Sequence, residues 1–386
     1  MDRPRVAVSV AFALQGLTFA AVVTQTPRLQ DRFDLGEGDV TLALVVVAVV
    51  AGVGSTLAGG LAARRGGLVA LRTALVGIAV GAAAIGVAPS WPALVAAFAV
   101  YGLGLGAMDA TTNIQGVRLQ ASRGRSLMTG FHAWWSVGGI AGAGYAALSG
   151  RLDVPVVASL LVLAAVLLAA AATLGGGLLP DDVPGRTPDP AGGVAVPWPP
   201  VLLFGLVLGL YYAADTGTAT WSSVFLDDAL GASAALVPLG YAAYQGGALA
   251  SRLAGDLVVR RVGAPPVVLG GTVLGVLGFA GVVAASTPVL AVVAFAVAGL
   301  GIAVLAPLAF AALAGSVRDE AVDEAVARMN VANYVGAILG GGLVGAVAEA
   351  GDVRWAFVVP LVLVAPIALL ARRFRTADGS PAVPRP

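Results

Sequence analysis

Residues 98–106, FAVYGLGLG, return as FAVAGLGIA at residues 295–303, 197 positions later in a chain of 386 residues. A period of half the chain means two fused copies of one plan rather than an array of short repeats. Other landmarks keep almost the same offset. Gly66, closing Arg64-Arg65-Gly66, falls on Gly263, closing Arg260-Arg261-Val262-Gly263. Gly138-Gly139-Ile140 falls on Gly336-Ala337-Ile338 with an offset of 198.

The copied plan is apolar. Hydrophobic residues make up 59% of the chain and charged residues 11%, and the mean hydropathy is +0.93, so no ordinary polar surface can be built and lipid is the expected solvent. A bilayer core of about 30 Å needs roughly 20 apolar residues per helix. Stretches of that kind number twelve, at about 6–26, 39–62, 67–88, 91–117, 126–149, 154–178, 200–224, 235–259, 264–285, 287–314, 328–349 and 354–371. The fold class expected is an all-α membrane protein of twelve transmembrane helices in two pseudo-symmetric six-helix bundles. The first stretch is long and lacks a small-residue cleavage site, so it is expected as a retained span.

Orientation follows from the arginines, which supply all 22 basic residues, a usage read as codon bias toward GC-rich triplets. With the amino terminus in the cytoplasm, only Arg28, Arg32, Arg151 and Arg354 fall outside and the other 18 fall inside. That asymmetry is the positive-inside signal and places both termini in the cytoplasm. The domains expected are a bundle at 1–178, a proline-rich cytoplasmic linker at 179–199, a second bundle at 200–372 and a tail at 373–386. Within the second bundle, Ser316 to Arg328 alternates acids with alanine and valine at near-helical spacing, which predicts a short helix lying on the inner membrane face.

Several chemistries are excluded. There are no cysteines, hence no disulfides, thiolate metal sites or cysteine nucleophiles. A net charge of +1 with scattered basic residues gives no nucleic-acid surface. No phosphate-binding GxxxxGK[ST] loop, metal-ligand cluster or serine–histidine–acid set occurs, so neither direct ATP drive nor enzyme activity is expected, and no cofactor.

The sequence Gly59-Gly60-Leu61-Ala62-Ala63-Arg64-Arg65-Gly66 resembles the signature G-x-L-a-D-r-x-G of the major facilitator superfamily, with Ala63 standing where an acid is usual. In the second copy, Arg252-Leu253-Ala254-Gly255-Asp256 before Arg260-Arg261 is a related loop that does carry an acid. Asp109 to Gly116 and Ser126 to Gly139 are similar to a bacterial group of the superfamily that includes the fucose:proton symporter. The resemblance implies transport by alternating access in a bacterial plasma membrane. It also implies an inner gate at Arg64, Arg252 and Asp256, whose charge relay is stronger in the second half. Arg252 and Asp256 lie four apart, so they can pair with each other or with a neighbouring loop. The proline motif of drug:proton antiporters in span 5 is absent, since residues 138–144 read GGIAGAG.

An ionisable side chain inside a span costs about 2.5–3.5 kcal/mol on insertion scales, so each marks a functional site by default. Asp109 stands roughly 13 Å above Arg118 along span 4, and His132 roughly 10 Å above Arg125 along span 5. Their similar depth on sequential helices allows a carboxylate–imidazole pair, and the two are the expected proton-coupling residues; packing roles for either remain open. Asn113 lies one turn from Asp109 on the same face. Asp215 sits in the polar run of span 7 beside Tyr211, Tyr212, Gly217 and Trp221. With Tyr241, Tyr244 and Gln245 it suits a small polar organic molecule. Gln15, Thr24 and Gln25 of span 1, Trp135 of span 5 and Asn330, Asn333 and Tyr334 of span 11 are further substrate-site candidates. Trp134 and Trp135 are adjacent, so at most one lines a cavity.

The function expected is secondary active transport of a small organic solute, with proton-coupled symport of a sugar-like molecule first and proton-coupled efflux of an amphipathic compound second. A non-transporting sensor or scaffold with the same fold is a third reading. The partners are the solute, protons and the lipid bilayer, with the chain acting as a monomer. Aligned by the repeat, Asp109 falls on Ala306, His132 on Asn330 and Asp215 on Thr18, so the scaffold is shared and the titratable groups are not.

Overall fold

A computed structural model describes residues 3–23, 25–35, 37–174, 196–232, 236, 239–351 and 353–374. Most of the expected linker (175–195), most of the tail (375–386) and Thr24 lie outside the described residues. Among the described residues every regular element is helical. The first copy gives α1 (Arg3–Val23), α2 (Thr26–Phe33), α3 (Glu37–Arg65), α4 (Gly67–Val87), α5 (Trp91–Arg123), α6 (Met128–Arg151) and α7 (Val156–Thr173). The second gives α8 (Trp198–Val224), α9 (Leu239–Val262), α10 (Ala264–Ala284), α11 (Pro288–Ile302), α12 (Leu305–Ala314), α13 (Val322–Ala350), α14 (Val353–Ala356), α15 (Val358–Val364) and α16 (Ile367–Leu370).

Ten stretches among the described residues are long and apolar enough to cross a membrane. The fifth and eighth expected spans, α6 and α9, are 24 residues each but are not among those ten. Their polarity explains it: α9 carries Arg252, Asp256, Arg260 and Arg261, while α6 carries His132, two tryptophans and several glycines. Large apolar side chains such as Ile140, Leu202 and Leu253 stand at 64–66% exposure, as a lipid-facing surface requires.

Sequence punctuation sets the helix limits. Gly66 (φ 92°) and its repeat partner Gly263 (φ 83°) both turn the chain through the left-handed region between two spans. Thr287 caps α11 by accepting from the Leu290 amide at 3.4 Å. The tenth span breaks between α11 and α12 because Pro307 has no N–H for the Ala303 carbonyl and its ring collides with that carbonyl. Pro360 and Pro366 divide the twelfth span into α14, α15 and α16 for the same reason.

One expectation is corrected. The segment 316–328 is no separate surface helix: a 3-10 turn at Asp319–Ala321 runs straight into α13. Ala325, Val326 and Ala327 are fully buried, so the apolar stripe read as membrane-facing packs against protein.

The repeat is visible as matched close approaches of backbone. A Cβ on Gly138 of α6 would stand 1.9 Å from the Ala13 carbonyl oxygen of α1, and one on Gly336 of α13 would stand 2.2 Å from the Gly209 oxygen of α8. Gly142 against Leu17 and Gly340 against Ala213 repeat the pattern one turn on. Only glycine admits such contact between helices.

Two compact units result. The first comprises residues 1–119, 134–197 and 317–331, and the second residues 120–133, 198–316 and 332–386. The first has a core of Leu71, Leu75, Ile78, Leu160, Leu163 and Leu167 between α4 and α7. The second holds a ring cluster in which Phe295 and Phe357 lie 5.2 Å apart and Phe225 and Phe357 lie 5.3 Å apart.

Candidate functional site

In the first unit Asp109 of α5 is buried, at 7% exposure, and three amides donate to its carboxylate. Gln15 Nε2 from α1 reaches Oδ1 at 2.7 Å, Asn330 Nδ2 from α13 reaches Oδ2 at 2.7 Å, and Asn113 Nδ2 reaches Oδ1 at 3.3 Å. The Asn113 amide also donates to the Asp109 carbonyl at 2.9 Å, as expected of residues one turn apart. Thr112 Oγ1 donates to Gln15 Oε1 at 2.9 Å, which fixes the Gln15 amide with its nitrogen toward the acid. Asn330 Nδ2 also contacts Ser55 Oγ at 3.4 Å, and Ser55 donates to the Ala327 carbonyl at 3.1 Å. The remaining oxygens, Oδ1 of Asn113 and Oδ1 of Asn330, are buried and accept no hydrogen bond.

In the second unit Asp215 of α8 is half-buried. Tyr244 Oη of α9 donates to its Oδ1 at 2.6 Å and Tyr211 Oη donates to the same oxygen at 3.5 Å. Arg252, at 4% exposure, donates through Nη2 to Tyr211 Oη at 3.0 Å. Gln245 Nε2 donates to Tyr241 Oη, and the Tyr241 and Tyr244 rings stack with centroids 6.3 Å apart. Tyr212 meets Tyr211 edge-on, with centroids 4.9 Å apart. A guanidinium, a carboxylate and four phenols thus gather on α8 and α9, a polar load that a lipid-facing helix does not carry.

Asp256, one turn beyond Arg252, bonds elsewhere. It accepts from Ser126 Oγ at 2.7 Å, from the Gly130 amide at 2.8 Å and from the Thr129 amide at 3.3 Å. The carboxylate thereby caps the amino terminus of α6, where unpaired N–H groups and the helix dipole favour an anion. Arg260 adds a bond to the Ser126 carbonyl at 3.0 Å. Of the two pairings open to Arg252 and Asp256, the one with neighbouring segments is realised and the one with each other is not.

The other expected residues fall as follows. His132 is buried in the second unit, its Nδ1–H directed at the Met128 carbonyl at 3.1 Å and its ring 6.2 Å from Phe310; Asp109 belongs to the first unit and has the amide partners given above. Gln25 is buried, with its amide on Ser159 Oγ at 3.3 Å and the Ala21 carbonyl at 3.0 Å. Trp221 donates to the Gly341 carbonyl at 3.2 Å. Trp135 is half-buried with its ring 6.2 Å from Phe19, while Trp134 is 41% exposed, so the two do point differently. Asn333 is buried and Arg64 exposed. Among the described residues no group of three or more histidines and acids is arranged to hold a metal.

Thr112, Ser55, Ser126 and the Gly130 amide take part in these clusters without having been singled out from the sequence. The rule that flags ionisable groups in spans passes over hydroxyls and backbone amides. A serine next to a glycine, as in Gly54-Ser55, is the faint signal available for one of them.

Residues 204–386 match the family model described as Major Facilitator Superfamily. The chain is similar to the uncharacterized transporter y4wD of Sinorhizobium fredii, with 29% identity over 367 residues covering 94% of this chain and 96% of the relative. It is also similar in structure to FucP, the fucose:proton symporter of E. coli, in its outward conformation. The TM-score is 0.81 at 15% identity, covering 96% of this chain and 98% of FucP. The human organic anion transporter MFSD10 gives a TM-score of 0.80 at 15% identity, covering 96% of this chain and 99% of that one. One of these two structures is named for a sugar with protons and the other for organic anions, so the likeness carries a fold and not a substrate.

Proposed function

We propose that this chain is a transporter of the Major Facilitator Superfamily, as the family model over residues 204–386, the relative at 29% identity and the shared fold support, and that it is a proton-coupled symporter of a small, polar, sugar-like solute. It works as a monomer in a bacterial plasma membrane with both termini in the cytoplasm. The first bundle (1–178) carries the proton-binding acid Asp109 and the second (200–372) the substrate-side acid Asp215.

The observation that carries the proton half is the pair of idle amide oxygens beside Asp109. As a carboxylate, Asp109 accepts from Gln15, Asn113 and Asn330. Once protonated it becomes a donor, and a rotated Asn330 or Asn113 amide offers it a buried oxygen that otherwise has no partner. An unpaired buried acceptor costs about 1–3 kcal/mol, so filling it offsets part of the loss of an ionic acceptor. The site therefore accommodates both protonation states, as a group that loads and unloads a proton must. Because Asn330 comes from α13 of the second copy and Gln15 from α1, each state of Asp109 favours a different arrangement of three helices.

The solute half rests on Asp215 and the ringed cluster around it, where aromatic faces suit apolar sugar faces and the acid suits hydroxyls. One proton moving with about 100 mV and one pH unit supplies roughly 3.7 kcal/mol, enough for a several-hundredfold gradient. The test is substrate-induced proton movement in liposomes containing a pH dye. Protons entering together with solute support the reading; protons leaving as solute enters support efflux, and no proton movement at all contradicts coupling.

A further inference from the structure

We propose that Arg252 is a positioning residue of the substrate site, acting through Tyr211 to hold Asp215 as an oriented acceptor, and that its charge makes the site select neutral hydroxyl-bearing ligands over cationic ones. The inference rests on Asp215 belonging to the substrate site. The carboxylate is held asymmetrically. Both Tyr211 and Tyr244 donate to Oδ1, no described residue donates to Oδ2, and the half-buried side chain leaves that oxygen reachable. Gln245 is in the same condition: its amide nitrogen is spent on Tyr241, and its Oε1 is a reachable acceptor without a donor. A ligand meeting Asp215 Oδ2 and Gln245 Oε1 must therefore bring donors.

Hydroxyl and ammonium groups both qualify as donors, and Arg252 decides between them. Its guanidinium is buried two hydrogen bonds from Asp215, with the Tyr211 hydroxyl accepting on one side and donating on the other. Within a span the effective dielectric is low, so a second cation at Asp215 feels a repulsion far stronger than it would in water. The carboxylate's charge is already balanced by Arg252, and a neutral donor gains the hydrogen bonds without that repulsion. Tyr244 holds Oδ1 at 2.6 Å, and Tyr211, itself oriented by Arg252, adds a longer contact at 3.5 Å to the same oxygen, which leaves Oδ2 for the ligand.

The test uses matched probes on the purified full chain, D-glucose, D-galactose and D-mannose each against its 2-amino counterpart, with affinities from thermal shift. The wild type is expected to bind neutral members at least about tenfold more tightly than the amino sugars. Arg252→Gln should bring that ratio to near one or invert it, while Arg252→Lys keeps it. Tyr211→Phe should weaken neutral ligands severalfold with the ratio intact, since the charge remains. A folded Arg252→Gln variant with the wild-type ratio overturns the role of Arg252 and leaves the sugar-like reading standing. A wild-type ratio near one overturns it without any variant. Binding of neither class by the wild type contradicts the sugar-like reading itself.

Discussion

Asp256 of α9 bonds the Gly130 amide of α6, whereas Gly59 of α3, the position that the 197-residue repeat assigns to Asp256, carries no acid and packs on Ala327 of α13. In the second unit the acid sits on α9 and receives the Gly130 amide at 2.8 Å. In the first unit a Cβ on Gly59 would stand 2.3 Å from Ala327 Cβ, so bare backbone faces the methyl. The acid there is on α13 itself: Asp323 pairs with Arg118. Removing Asp256 should therefore loosen the α6 terminus specifically. Because the chain has no cysteine, a single Leu127→Cys reports on that terminus, and Asp256→Ala should speed its labelling by a maleimide severalfold. The cap is worth about 1–3 kcal/mol; an unchanged labelling rate contradicts it.

Gly130→Ala should produce the same phenotype from the other side of the contact. The new methyl would meet Asp256 Oδ2 at 2.8 Å and push the carboxylate off the amide. The double variant Gly130→Ala with Asp256→Ala should then be little worse than either alone, since both remove one interaction. Additive losses of melting temperature would show that the two residues act separately.

Arg118 and Asp323 call for a charge exchange. The Asp323 side chain is 2% exposed and the Arg118 side chain 18%, so taking away the acid leaves a poorly solvated cation. Asp323→Ala should destabilise by about 2–4 kcal/mol, read as a fall in detergent-solubilised melting temperature. Arg118→Asp combined with Asp323→Arg should recover part of that loss; no recovery shows that the pair's geometry, rather than its charge, is what matters.

Three of the four arginines that break the positive-inside pattern have a structural reason. Arg32 donates to the Gly86 and Ala88 carbonyls at 2.6 and 2.9 Å. Arg354 donates to the Val283 and Ala285 carbonyls at 3.1 and 2.5 Å. These carbonyl pairs are repeat equivalents at the ends of α4 and α10, captured by arginines from different parts of the copy. Arg28 joins the Val154 carbonyl at 2.6 Å. A cation on a helix carboxyl end is favourable, and the guanidinium fork bonds two carbonyls at once. Arg32→Lys, which keeps the charge and loses the fork, should cost about 1 kcal/mol in chemical denaturation. A variant as stable as the wild type would mean that charge alone suffices.

How much was legible in the sequence follows from the physics of each feature. The repeat and the spans could be read because lipid imposes length and apolarity, and landmarks such as Gly138 and Gly336 recur because no other residue fits their carbonyl contacts. Asp109, Asn113 and Asp215 stood out as costly polar groups, and the Asp109–Asn113 bond follows from helical spacing alone. The partners across sequence did not. That Asn330 reaches Asp109, 221 positions away, or that Asp256 bonds amides on α6, depends on helix packing that no local pattern encodes. The segment 316–328 was misread because an apolar stripe looks the same whether lipid or protein covers it.

The central claim is that Asp109 carries the coupled proton, and Asp109→Asn tests it most directly. Asparagine keeps the size and can still bond the neighbouring amides, but it cannot load or release a proton. With the solute that binds most tightly in a thermal-shift screen, proteoliposomes should show uphill accumulation under an imposed pH gradient for the wild type and none for Asp109→Asn. Equilibrium exchange of labelled for unlabelled solute should persist in both. PH-driven accumulation at the wild-type level by Asp109→Asn would contradict the claim outright.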